Sequence, residues 1–73
     1  MSTEASNIEI TVNGRSTTIA RGQSVLDLLH ALGIKSDRVA VELNRAIVKQ
    51  RDWAATSVDA GAQVEIVHFV GGG

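Results

Sequence analysis

The stretch Ile8-Glu9-Ile10-Thr11-Val12-Asn13-Gly14-Arg15-Ser16-Thr17-Thr18-Ile19-Ala20 decides the fold class. Ile8, Ile10 and Val12 alternate with Glu9 and Thr11, the period of a strand with one buried face. Asn13-Gly14 follows at once. A two-residue type I′ turn needs positive φ at both positions, and Asn-Gly between two strand-like runs is its strongest signal. The arm beyond the turn, Arg15 to Ala20, is rich in the β-branched residues Thr and Ile. The reading is a β-hairpin over 8–20.

Beyond the hairpin, Arg21-Gly22-Gln23 breaks the alternation. Ser24 stands three residues before Asp27, the spacing with which a side-chain pair satisfies free amides at a helix start. Val25, Leu28, Leu29 and Leu32 then share one helical face, while Asp27 and His30 look elsewhere. Gly33 is placed to stop the helix in a left-handed conformation, with Ile34 folding back on Leu29. The pattern predicts a helix over 25–32, packed through Leu28, Leu29 and Leu32. After a polar loop at 35–38, Val39, Val41 and Leu43 alternate with Ala40 and Glu42 as a third strand. Asn44-Arg45 marks a turn, and 46–48 a short fourth strand. Residues 49–59 read as irregular or briefly helical, with Trp53 plugging the core edge and Asp52 and Asp59 as turn residues. Gly61 closes that excursion. The last strand, 63–70, is apolar at Val64, Ile66, Val67, Phe69 and Val70, a density expected of a central strand covered on at least part of both faces. It is expected beside the first strand and parallel to it. Hairpin, helix and three more strands make an α+β domain, a mixed four- to five-stranded sheet with one main helix packed on one face. Residues 1–7 read as a disordered polar leader, 8–70 as the single domain and 71–73 as a flexible glycine tail.

With 73 residues there is room for one domain. Apolar residues make up 44% of the chain but aromatics only 3%, Trp53 and Phe69, so the core is aliphatic. A net charge of −1 with mixed signs leaves no basic stripe for nucleic acid. No apolar stretch is long enough for a membrane span, and the start lacks the order of a signal peptide, so a cytoplasmic location is expected. Cysteine is absent, which removes disulfides, thiolate metal sites and thiol catalysis. There is no glycine-rich phosphate loop, no His pair at ligand spacing and no Ser/His/Asp set. No catalytic residue, metal ligand or bound cofactor is therefore expected. His30 reads as a solvated helix residue and His68 as a surface or sheet-edge residue, with a catalytic role the lesser alternative for each.

Val70 passes directly into Gly71-Gly72-Gly73. A glycine run contributes no packing and costs conformational entropy, so it does little for folding. As a thread without β-carbons it spans about 10 Å when extended and can enter a narrow tunnel. The carboxylate of Gly73 is unhindered but a poor electrophile, and it needs an activated leaving group such as adenylate in order to react. A frayed terminus is the alternative.

The run Val64-Glu65-Ile66-Val67-His68-Phe69-Val70-Gly71-Gly72-Gly73 resembles the ending of ThiS-type sulfur carriers of thiamine biosynthesis. The opening hairpin, Ser24-Val25-Leu26-Asp27-Leu28-Leu29, Val39-Ala40-Val41-Glu42-Leu43-Asn44 and Arg51-Asp52-Trp53 extend the likeness over nearly the whole chain. The resemblance implies a ubiquitin-like β-grasp fold. It implies that an E1-like adenylyltransferase (ThiF type) uses ATP to adenylate Gly73, and that a sulfur donor then leaves a thiocarboxylate. It further implies that a thiazole synthase (ThiG type) receives that sulfur. The chain would then be a carrier and not an enzyme. Without cysteine, a terminal thiocarboxylate is the natural place to hold reactive sulfur. Lys49 stands where the family often has proline, Arg45 where a turn glycine is common, and Ala62 where an acidic residue is usual. Two alternatives stay open: another carrier such as the small subunit of molybdopterin synthase, and a β-grasp interaction domain with an incidental glycine end. Val67 and Phe69 alternate onto the side shared with Glu65. With Val70 they are expected to dock the adenylating enzyme, unless they are covered within the domain.

Overall fold

A computed structural model describes residues 6–35 and 38–69. Strands β1 (Asn7–Val12) and β2 (Arg15–Ala20) form the hairpin, followed by helix α1 (Val25–Ala31). Strands β3 (Val39–Leu43) and β4 (Ala46–Val48), a 3-10 helix over Gln50–Ala55 and strand β5 (Gln63–His68) complete the order. The five strands make one mixed sheet in the order β2-β1-β5-β3-β4. The strand last in sequence is central, parallel to β1 and antiparallel to β3. With the helix on one face, this is the ubiquitin-like β-grasp.

The hairpin register is Ile8 opposite Ile19 and Val12 opposite Arg15, so a two-residue turn joins the arms. Asn13 at φ 50° and Gly14 at φ 83° supply the two positive angles of that turn. The second hairpin closes in the same way, Leu43 opposite Ala46, but its turn holds Asn44 at φ 51° and Arg45 at φ 72°. Left-handed backbone crowds any β-carbon, so Arg45 carries a steric cost there that glycine would avoid.

The capping box expected from Ser24 and Asp27 is present. The Asp27 amide donates to Ser24 Oγ at 3.1 Å, and the Ser24 amide donates to an Asp27 carboxylate oxygen at 3.0 Å. At the other end, Gly33 at φ 74° lets the Gly33 amide reach the His30 carbonyl and the Ile34 amide reach the Leu29 carbonyl. Those two bonds are the Schellman arrangement, and Ile34 packs against the core as that motif requires. Leu32 departs from expectation. The helix ends at Ala31, Leu32 is its C-cap, and its side chain is 39% exposed. Leu32 keeps helical backbone and its amide still donates to the Leu28 carbonyl at 3.0 Å, but it is the last residue before the reversal at Gly33, where the packed face of the helix runs out.

Val25, Leu28 and Leu29 are fully buried against Ile8, Ile10, Ile19, Val39, Val41, Val64 and Ile66. Those strand residues share the pleat face that the registers align, Ile8 with Ile19 and Val41 with Ile66. Burying each large aliphatic side chain is worth about 1.5–3 kcal/mol, so this one layer carries most of the fold's stability. Trp53 plugs the edge as expected. It is 2% exposed, and its indole N–H donates to the Val48 carbonyl at 2.8 Å, which satisfies the polar end of a buried ring. Val58 and Ala62 are also buried, in a stretch with no periodicity to announce them. Ala62 comes inside where the chain meets β1, the Thr11 amide donating to the Ala62 carbonyl at 2.9 Å, and Val58 because the chain at 56–58 lies against the helix start. There the Val25 amide donates to the Thr56 carbonyl and the Val58 amide to the Gln23 carbonyl.

Candidate functional site

The glycine run follows β5 in the sequence, and the neighbouring turns hold that strand. Asn44, at the tip of the second hairpin, receives the Gln63 amide on its side-chain oxygen at 2.9 Å. Its own amide donates to the Gln63 carbonyl at 2.7 Å. Asn13, at the tip of the first hairpin, holds the middle of the strand. Its side-chain oxygen accepts the Ile66 amide at 2.7 Å and its side-chain nitrogen donates to the Ile66 carbonyl at 3.2 Å. β1 ends one residue earlier, so the Asn13 carboxamide takes the place of a further strand residue. The Phe69 amide donates to the Arg38 carbonyl at 2.8 Å, extending the pairing with β3 one residue past the strand. The backbone is thus tied to the sheet as far as Phe69. Val70, Gly71, Gly72 and Gly73 lie outside the described residues.

Val67 and Phe69 are 55% and 57% exposed. The alternative that they are covered within the domain therefore falls, and so does the expectation that β5 is covered on at least part of both faces. The strand is central, but helix α1 occupies one face only. On the open face the registers place Glu42 opposite Glu65 and Ala40 opposite Val67. Beyond Glu42, on β4, stands Ile47, 70% exposed. Ile47 was not singled out from sequence. The signal lies in the alternation of Ala46-Ile47-Val48, because the partly buried Val48 packs toward the core and sends Ile47 the other way. Glu9, further down the same face, accepts hydrogen bonds from the Ser16 and Thr18 hydroxyls at 2.8 and 3.1 Å.

His30 and His68 are both exposed, His30 in the last turn of the helix and His68 at the end of β5. Among the described residues no three His, Asp or Glu side chains cluster as metal ligands. No helix among them is long and apolar enough to cross a membrane. Asp27 has its carboxyl held below the ordinary value of 3.8. The Ser24 backbone amide is the main cause, followed by the Ser24 hydroxyl, with a smaller contribution from His30. That shift belongs to the helix cap. Among the described residues, the end of β5 brings together no nucleophile and no acid–base pair. Among those residues it offers a firmly held strand with an exposed apolar surface beside it.

Residues 6–73 match the model of the ThiS family. The chain is 30% identical over 66 residues to the sulfur carrier protein ThiS of Escherichia coli K12, covering 90% of this chain and all of that one. It is 36% identical over 66 residues to a thiazole synthase of Magnetococcus marinus. It spans only 20% of that protein's length. The crystal structure of a thiamine biosynthesis protein (ThiS) from Geobacter metallireducens superposes with a TM-score of 0.81 at 38% identity, covering 90% of this chain and all of that one.

Proposed function

The chain belongs to the ThiS family, and we propose that it is a sulfur carrier of thiamine biosynthesis that works through the carboxylate of Gly73. The observation that carries this reading is the extent of the match. The family model runs from residue 6 through the glycines to 73, and the likeness to a sulfur carrier spans that carrier's whole length. A β5 tied down as far as Phe69 supports it, since a thread delivered to another enzyme needs a fixed root. The absence of cysteine from the sequence supports a terminal acyl group as the place for the sulfur.

The chemistry divides between the chain and its partners. A Gly73 carboxylate oxygen attacks the α-phosphorus of ATP on an E1-like adenylyltransferase. Pyrophosphate leaves, and an acyl-adenylate remains. A sulfur nucleophile supplied by a donor then attacks the acyl carbon, and AMP departs with the bonding pair. Where the donor stays attached through a sulfur–sulfur bond, a thiol attacks the donor's sulfur, forms a disulfide with it, and the thiocarboxylate leaves with the bonding pair. The chain contributes no catalytic residue to these steps. Gly71 and Gly72 carry the carboxylate into the partner's site without β-carbons to obstruct a narrow passage. Val67 and Phe69 present apolar surface just before the thread, with Val70 next in sequence, and such surface favours docking of the adenylating enzyme. A thiazole synthase is the sulfur acceptor that fits best, because relatives of this chain bear that name.

Incubation with an E1-like adenylyltransferase, ATP and a sulfur donor tests the reading by intact-protein mass spectrometry. The expected result is an adenylate at Gly73, then a mass gain equal to the replacement of one oxygen by sulfur. Deletion of Gly73 should abolish both products without unfolding the domain. Gly72→Val should nearly abolish them, because a β-branched side chain widens and stiffens the thread. Sulfur accepted by the protein lacking Gly73, or mapped to another residue, would refute the proposal.

A further inference from the structure

The open face of the sheet carries two features that folding alone does not account for. The first is apolar. Ile47, Val67 and Phe69 are each more than half exposed on the strands β4 and β5 or just past them, beside Ala40. The second is electrostatic. Glu42 on β3 and Glu65 on β5 are register partners, in the same alternation as the Asn44–Gln63 and Arg38–Phe69 backbone bonds that bracket them. Carboxylates directly opposite each other on neighbouring strands destabilise a sheet. Among the described residues, the ion pair formed is Arg51 with Asp52, away from this row, and no cation lies within ion-pair distance of Glu42 or Glu65. Glu9, on the same face, shows the contrast, since two hydroxyls satisfy it.

We propose that this face seats the adenylating partner, and that Glu42 and Glu65 together receive a basic side chain from it, an arginine set among apolar residues. This inference rests on the sulfur-carrier reading above and adds to it the residues that choose the partner. Charge complementarity selects the occupant. Two carboxylates side by side suit a planar guanidinium, whose fork of donors can engage both. The row order is Ile47, Glu42, Glu65, and the next row toward the tail holds Ala40 and Val67, so apolar contacts flank the acidic pair on two sides. That pattern of an apolar patch around a buried charge pair fixes orientation as well as affinity. The patch is continuous with Phe69, the last residue tied to the sheet before the glycine run. A partner docked here therefore has the tail entering it from the edge of the same contact. A second copy of the chain does not suit the face, because it would bring four carboxylates together.

The test is kinetic. Pyrophosphate exchange by the E1-like enzyme is measured with the full chain and with the double variant Glu42→Gln/Glu65→Gln, each at low and at physiological salt. The double variant keeps size and hydrogen-bonding capacity and loses only charge. The KM for the carrier should rise about tenfold at low salt and lose most of its salt dependence, with kcat falling far less. Thermal denaturation should show the variant at least as stable as the parent chain, because a like-charge pair is gone. An unchanged KM with an unchanged salt dependence would overturn the proposal while leaving the carrier reading intact. A parent chain that forms no adenylate at Gly73 would remove the carrier reading, and this one with it. Self-association of the parent chain in sedimentation, strengthened in the double variant as the like charges are removed, would assign the face to a second copy and overturn the proposal.

Discussion

Replacing Asn13 separates two reasons for an asparagine at that position. One is local, since Asn13 occupies the left-handed region at φ 50°. The other is tertiary, because its side chain makes two hydrogen bonds to the Ile66 backbone, fifty-three residues away. Asn13→Gly removes the side-chain bonds but suits the backbone angle better than asparagine does. Each bond is part-buried, and losing one leaves an Ile66 group unpaired at about 1 kcal/mol. Relief of the left-handed conformation returns less than about 1 kcal/mol. The glycine variant should therefore be destabilised by about 1–2 kcal/mol. Asn13→Ala loses the same bonds and pays a further 1–2 kcal/mol, roughly, for a β-carbon at positive φ. The order of stability should be parent, glycine, alanine. Urea denaturation followed by fluorescence of the single, buried Trp53 gives the free energies. Hydrogen exchange at the Ile66 amide gives the local effect, which should be faster in both variants. A glycine variant as stable as the parent, with unchanged protection at Ile66, would show that only the turn angle matters. The account of the clamp on β5 would then be wrong.

Leu29→Ala removes a fully buried side chain from the helix–sheet contact and should cost about 2–5 kcal/mol in urea denaturation. A domain of this size has only about 4–11 kcal/mol to lose. Arg45→Gly should raise the melting temperature by several degrees, a gain of roughly 1 kcal/mol, since position 45 sits at φ 72°. Asp27→Asn should lower stability at neutral pH, with the difference vanishing in acid. The folded carboxyl is held below 3.8, so its contribution is present above that pH and is lost as pH falls through the lowered value. A difference between the two proteins that persists in strong acid would refute the cap as its source.

Local chemistry made most of the elements legible. Asn13-Gly14 announces its turn because few other pairs tolerate two positive angles, and the hairpin forms as read. Ser24 and Asp27 announce the helix start, and Gly33 with Ile34 its end, because the partners of each cap lie within a few residues. The second turn was less legible, since Asn44-Arg45 takes the same conformation against the preference of arginine. Here the pairing of β3 with β4 over three residue pairs imposes the angle. The candidate site divides along the same line. The apolar residues of the last strand were readable, but Ile47, Glu42 and Glu65 gained meaning only as neighbours.

From sequence alone followed one domain, its strand and helix order, an aliphatic core, the absence of a thiol, and the glycine thread after an apolar strand. Each of these rests on composition or on contacts a few residues apart. Tertiary structure alone decided which apolar residues stay outside. Val64 and Ile66 face the helix, whereas Val67 and Phe69 face solvent, although all four sit in one apolar run. Hydrophobicity has no direction, so that run is compatible with burial on two faces. Pleat alternation and a helix on one side of the sheet assign the sides. The same pairing across strands brings Asn13 to Ile66 and Glu42 to Glu65, at sequence distances over which no local preference acts.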